Sequence, residues 1–181
     1  MKMKIITISA LALLSSITMA ADYKIDPAQS SVVFKIGHLG VSTTVGQFSE
    51  FEGQFSYAEN GKSGSASLNI KADSVSTNHE ARDKHLRSPD FLDVKQFPSL
   101  TFKSTTFDGN TLTGDLTLHG VTKAVSLDVN KIGESKDPWG GYRSGFEAKT
   151  VILRSDFGVT YFIPGVTDKT EIEIYVEGIR Q

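Results

Sequence analysis

Apolar and polar residues alternate along most of this chain with a period of two. Val32, Phe34 and Ile36 share one face of an extended segment, for example, and Val33 and Lys35 lie on the other. Such alternation is typical of β-strands that bury one face and expose the other. The pattern therefore predicts an all-β protein.

Eight segments show this alternation, and turn sequences such as Asp108-Gly109-Asn110 separate most of them. Short connections favour antiparallel pairing, and closure of the sheet buries every apolar face and removes the exposed edges. We predict an eight-stranded antiparallel barrel. In the second strand Phe48 has the wrong parity for Phe51 and Phe55, which predicts a β-bulge near Ser49–Glu50. The predicted strands lie at about 31–38, 48–57, 65–71, 100–103, 111–118, 125–130, 146–152 and 171–177.

The alternation stops between residues 72 and 99. Thr77 followed three residues later by Glu80 is a capping-box pattern, with Thr77 as the N-cap. We predict a helix from about Asn78 to Arg87 inside a short helical excursion at about 77–93. Its apolar residues are expected to pack against the barrel.

The first twenty residues have the parts of a secretory signal peptide. Two lysines precede an apolar run from Ile5 to Leu14, and Thr18 and Ala20 occupy suitable −3 and −1 positions. The run is too short to span a bilayer. We predict cleavage after Ala20, export to the periplasm without stable membrane insertion, and a single domain over residues 21–181.

Composition excludes several classes of function. With Lys+Arg 19 against Asp+Glu 21, nothing favours nucleic acid as a partner. The absence of cysteine excludes disulfides, thiolate metal sites and cysteine nucleophiles. The four histidines lack metal-ligand spacing, and neither a Gly-x-Ser-x-Gly elbow nor a glycine-rich phosphate loop occurs. We predict no catalytic residues, no metal and no cofactor.

An eight-stranded barrel has the size at which the interior is either filled by side chains or holds one small ligand. Alternation does not measure volume, so both arrangements stay open. An apolar cavity in this barrel would suit a long hydrocarbon. The candidate cavity residues are Val32, Phe34, Ile36, Phe51, Phe55, Leu68, Ile70, Phe102, Leu116, Phe146, Ile152, Ile172 and Ile174.

Several longer strings are more specific than the alternation. They are residues 34–40 with 46–55, residues 76–92, Phe97-Pro98, residues 114–123 and Asp137-Pro138-Trp139-Gly140-Gly141; the string Arg82-Asp83-Lys84-His85-Leu86-Arg87-Ser88 is the most specific. Over about residues 21–181 the chain resembles the YceI-like family of bacterial periplasmic proteins. The resemblance implies an extended, lipocalin-like barrel that holds a polyisoprenoid, an isoprenoid quinone or a fatty-acid amide. It also implies a homodimer, and the family is not established as enzymatic.

Four polar residues are candidates for contact with a ligand head group: His38, Arg82, Asp83 and His85. His38 ends an otherwise apolar inward face, and the other three lie in the helical excursion. The alternative for the segment His79–His85 is a structural network that fixes the excursion to the barrel rim.

Three functions therefore remain open. The first is a carrier of a long-chain amphiphile. The second is an enzyme acting on a lipid or quinone, with acid–base groups from His79–His85. The third is an interaction module with a filled core, whose interface would be the apolar segment Tyr161–Val166 at the barrel mouth.

Overall fold

The computed structural model describes residues 20–58 and 61–181. The predicted signal peptide lies outside the described residues except for Ala20, as do the two residues that follow β4. The secondary structure elements are β1 (Ala20–Ile25), β2 (Ser31–His38), β3 (Ser42–Phe48), β4 (Phe51–Ala58), β5 (Gly64–Lys71), β6 (Val75–Ser76), α1 (Glu80–Leu86), β7 (Ser99–Phe107), β8 (Thr111–Leu118), β9 (Val121–Lys136), β10 (Tyr142–Leu153) and β11 (Val166–Arg180). Short 3-10 turns occur at Pro27–Gln29, Ala72–Ser74 and Arg154–Phe157.

Eight strands close into an antiparallel barrel, as predicted. Hydrogen bonds connect them in the order β1-β4-β5-β7-β8-β9-β10-β11, and β11 pairs again with β1. The closing ladder places Tyr23 opposite Arg180 and Ile25 opposite Gly178. The pairings of the barrel are antiparallel, and several of them join consecutive strands, each of which turns back on the one before it.

Along one edge, the long strand β11 pairs with two different strands. Its C-terminal part pairs with β1, and its N-terminal part pairs with β2, with Tyr175 opposite Ser31. The 3-10 turn at Pro27–Gln29 separates β1 from β2. The strands β2, β3 and β6 therefore continue the wall beyond one end of the barrel.

Aromatic rings fill the barrel near the closing ladder. The ring of Phe55 stacks on Tyr23 at a centroid distance of 4.9 Å and meets the ring of Phe146 edge-on at 5.4 Å. All three side chains are buried. Such aromatic pairs stabilise a core beyond the area that they bury.

The predicted strand over 48–57 is two strands. β3 ends at Phe48 and β4 begins at Phe51, so the chain breaks its ladder at the two residues where a bulge was predicted. The amide of Ser49 donates to the Ser74 carbonyl, and the Glu50 carbonyl accepts from Lys71. The break lets β3 pair with β2 and β6 while β4 pairs with β1 and β5.

Three strands were not predicted: β1, β3 and the two-residue β6. In β1 the alternation is short, with only Tyr23 and Ile25 buried. In β3 the buried residues are Gly46 and Phe48, whereas Val45 is exposed on the outer face. Gly46 is needed because a side chain at this position would overlap the Phe34 ring. A strand with a glycine inside and a valine outside shows no apolar alternation.

The helix is confirmed in its place, but the capping-box interpretation is wrong. α1 begins at Glu80, and its N-cap is His79, whose Nδ1 accepts from the Arg82 amide at 3.2 Å. Thr77 cannot cap it, since Asn78 has a left-handed φ of 60°. Within the described chain, no helix is long and apolar enough to cross a membrane.

We expect Gly178→Ala to lower the free energy of unfolding by about 1–3 kcal/mol, the usual range for overpacking a core. An added Cβ would overlap the Phe55 ring and lie 2.8 Å from Tyr23 Cβ, at the closing ladder. Urea unfolding measures the change.

Gly133→Ala is the matched control, because a Cβ there has no neighbour within 4 Å. Its effect should lie within about 0.5 kcal/mol. Equal stability of the two variants would contradict the importance of the tight closure.

Candidate functional site

A cavity of about 160 Å³ lies inside the barrel and under the helical excursion. Strands from both sides of the barrel contribute to its wall, and Leu86, Phe91 and Leu92 cover it from the excursion. The lining is almost entirely apolar, since the inward face of each strand carries Val, Leu, Ile or Phe. The interior is therefore not completely filled by side chains.

A second cavity of about 100 Å³ lies next to the first along the same strands. On β10 its wall is formed by Phe146 and Ala148, whereas Thr150 and Ile152 line the first cavity. The two cavities are thus arranged in line along the barrel. Four side chains border both of them: Leu68, Phe102, Leu127 and Ile174.

The structure places most of the predicted cavity residues along these two spaces. All except Phe51, Phe55 and Phe146 line the first cavity, and Phe55 and Phe146 line the second. Phe51 lines neither cavity. It is the first residue after the break between β3 and β4, and it borders a surface depression with Lys71 and Pro98. A ligand contact by any of these residues stays a prediction.

The four polar candidates do not line either cavity. Arg82 and Asp83 meet at Thr77 instead. Thr77 donates both its amide and its hydroxyl to Asp83 Oδ1, while Arg82 Nε donates to the Thr77 hydroxyl at 2.7 Å. Burial would raise the pKa of Asp83, but the Thr77 hydrogen bonds and the charges of Arg87 and Arg82 hold it below its ordinary value.

Arg87 extends this network to the barrel. Its Nε donates to the Asp73 carbonyl at 2.6 Å, and its Nη2 donates to the Val75 carbonyl at 2.7 Å. Guanidinium groups often fix segments in this way, because their planar fork reaches two acceptors at once. The geometry of the cluster is that of a structural network tying the excursion to the rim.

The two predicted histidines, His38 and His85, are less buried than Asp83. His85 is exposed, with Nε2 at 2.9 Å from Asp90 Oδ2, and its ring meets Phe91 and Tyr161 edge-on. His38 is half-buried and occupies a ladder position opposite Ser42. The structure brings neither histidine to the apolar interior, and His79 is used as the cap of α1.

Arg154 is a residue that the sequence interpretation missed. It is 4% exposed and lines the first cavity. Its guanidinium donates four hydrogen bonds of 2.8–2.9 Å to the main-chain carbonyls of Val159, Tyr161, Val166 and Thr167. One signal was available, because position 154 continues the inward parity of the strand that ends at Leu153.

Comparison with known proteins agrees with this fold. The model of the YceI-like domain matches residues 23–178. The chain belongs to the YceI-like family. This confirms the resemblance that the sequence strings indicated.

One relative of this YceI-like chain is a "UPF0312 protein" of Pseudomonas aeruginosa (strain LESB58), 44% identical over 187 residues, which cover 97% of this chain and 98% of the relative. Among solved structures, BcnA of Burkholderia cenocepacia has a TM-score of 0.76 at 24% identity, covering 84% of this chain and 98% of BcnA. A polyisoprenoid binding domain from Saccharophagus degradans has a TM-score of 0.66 at 15% identity, covering 88% and 98%. The two structures share the fold with this chain.

In this YceI-like chain the predicted apolar segment Tyr161–Val166 is a loop that ends at the first residue of β11. Phe162 is 53% exposed, and Tyr161 packs edge-on against Phe91, which lines the first cavity. The amide of Leu39 donates to the Gly165 carbonyl, so the turn after β2 lies beside this loop. The homodimer, for which this loop is one candidate surface, stays a prediction.

We expect Thr77→Val to destabilise the protein by about 1–3 kcal/mol, because it leaves the buried Asp83 without a hydroxyl donor. The pKa of Asp83 is lowered in the folded state, so its contribution is present near neutral pH and is lost as the pH falls through the folded-state pKa. The difference from the wild type should therefore shrink below about pH 4. Urea unfolding over a pH series measures it.

Thr122→Val is the matched control, since its hydroxyl bonds only to that of Thr117 at an exposed position. Its effect should stay within about 0.5 kcal/mol at every pH. A constant difference between Thr77→Val and the wild type at all pH values would rule out the role of the Asp83 charge.

Proposed function

We propose that this protein is an exported carrier that holds a long-chain amphiphile, such as a polyisoprenoid or an isoprenoid quinone, inside its barrel. The observation that carries the proposal is the pair of apolar cavities in line within one closed barrel. The binding energy would come from removal of the chain from water, at about 25 cal/mol per Å² of apolar surface.

The arrangement favours a long ligand over a compact one. From Thr170 in the first cavity to Val176 in the second, β11 covers about 20 Å at about 3.3 Å per residue. Each cavity alone is close in size to the ~150 Å³ apolar cavities that bind benzene. A long chain must therefore occupy both cavities and push apart the side chains between them. Phe102, which is only half-buried, is well placed to move.

The proposed contacts are the predicted apolar residues that line the two cavities. They are Val32, Phe34, Ile36, Leu68, Ile70, Phe102, Leu116, Ile152, Ile172 and Ile174 in the first, with Phe55 and Phe146 in the second. The polyisoprenoid binding domain with the same fold supports a ligand of this chemistry. The signal-peptide pattern of residues 1–20 supports a periplasmic location.

Native mass spectrometry of the protein purified from the periplasm without detergent tests the proposal. We expect a reproducible added mass that solvent extraction releases as a long-chain lipid. If the mass is that of the protein alone, and added polyprenols and fatty amides also fail to bind, the carrier function is refuted.

We expect Leu127→Trp to weaken binding of a polyprenol at least tenfold. Leu127 borders both cavities, so an indole there closes the passage between them. Affinity is measured by titration of the delipidated protein, with circular dichroism to confirm the fold.

Ile132→Trp is the control on the same strand. Ile132 is 64% exposed, so an indole there should leave the affinity unchanged. Wild-type affinity in the folded Leu127→Trp variant would show that the ligand does not pass through the barrel at this level.

A further inference from the structure

The apolar cavity ends at a buried positive charge. Arg154 follows β10 directly, and Val159 lies beside it in the lining. Burial lowers the pKa of its guanidinium below the ordinary value, but a guanidinium remains charged in proteins. The first cavity therefore has one cationic end, although its other lining residues are uncharged.

No carboxylate of the described residues forms an ion pair with Arg154. The acidic group that acts on it electrostatically is Asp168, whose two oxygens accept from the amide and the hydroxyl of Ser155, at 2.8 and 2.7 Å. Four carbonyl dipoles solvate the guanidinium, its central carbon lies 5.9 Å from the centre of the Phe91 ring, and Asp168 attracts it without forming an ion pair. A buried charge without a bonded counter-ion is costly, so an anion at this end would be stabilised.

One N–H donor of Arg154 forms no hydrogen bond with the described residues. A guanidinium has five N–H groups, and four of them donate to main-chain carbonyls. The fifth, on Nη1, has no acceptor within residues 20–58 and 61–181. The other four N–H groups hold the loop at residues 159–161 and the start of β11, and this fifth one has no such role.

A second polar group without a partner lies at the same end. Thr170 lines the first cavity and pairs with Ile152 of β10. Ile152 precedes Arg154 by two residues in the chain. Its hydroxyl is shielded from water and has no hydrogen-bond partner among the described groups. Buried polar groups are normally satisfied, so such an exception requires an explanation. Thr150, another hydroxyl of the lining, donates to the Ser126 carbonyl.

We infer that Arg154 and Thr170 form the polar end of the binding site and bind an anionic oxygen head group, such as a carboxylate, of the amphiphile. The inference rests on the proposed function and specifies its ligand. The head group accepts from the free N–H of Arg154 and from the Thr170 hydroxyl. The tail extends away from it, past Leu127 towards Phe146.

Isothermal titration calorimetry of the delipidated full-length mature protein with hexadecanoate and with hexadecanol tests the inference. The two probes share a tail and differ in charge at the head. At about pH 8, where a carboxylate is ionised, we expect hexadecanoate to bind at least tenfold more tightly. Equal affinities would overturn the inference and leave the proposed carrier intact. Failure of both probes, and of polyprenols, would overturn both.

Variants of Arg154 and Thr170 test whether these residues cause the preference for hexadecanoate over hexadecanol. Arg154→Met removes the charge and should abolish the preference for hexadecanoate while hexadecanol still binds, a result that a purely structural arginine would not produce. Thr170→Val should weaken hexadecanoate about threefold to tenfold, in line with loss of one hydrogen bond. Thr122→Val, which lies outside both cavities and whose hydroxyl pairs with that of Thr117, should change nothing. If Arg154→Met does not fold, Thr170→Val decides, and wild-type affinity in that variant would overturn the assignment.

Discussion

The main-chain pairing of β11 with β1 is the interaction on which the rest of the structure depends. It turns an open meander into a closed barrel, with Ile25 opposite Gly178. An open sheet would leave two edges of unpaired amides and carbonyls and would expose the apolar face to water. Closure places that face inside, and the interior becomes the candidate binding site. The close approach of Gly178 to Phe55 and Tyr23 allows the ladder to form without loss of the aromatic packing.

The sequence predicted the barrel because polarity and strand geometry agree at most positions. In β5 and β8 the apolar side chains follow the pleat, and the structure places Leu68, Ile70 and Leu116 on the inner face as expected. β3 was missed for the opposite reason, since its inner face carries Gly46 and its outer face carries Val45. Period-two reasoning needs at least two inward apolar side chains in one strand, and the only buried apolar side chain of β3 is that of Phe48.

The candidate site was predicted less completely. The apolar walls follow from parity, but cavity volume depends on how side chains from opposite strands meet, which no single strand reveals. The polar cluster was identified by residue type, and its geometry depends on Thr77, which binds Asp83 rather than capping α1. The sequence pattern did not identify Arg154, because a charged residue that follows an apolar strand is typical of the start of a surface turn. Its burial depends on four carbonyls from the loop that follows it and from the start of β11.

The excursion that covers the first cavity is attached by hydrogen bonds from Arg87 to the carbonyls of Asp73 and Val75, and Arg87 itself does not line the cavity. If an enclosed chain leaves past the excursion, this cover has to open first. The length of the tail would then set how strongly a ligand is held, whereas the carbonyl bonds of Arg87 would set how long it stays. Amphiphiles of very different affinity would share one slow exit step, and residence time would be a property of the protein rather than of its cargo.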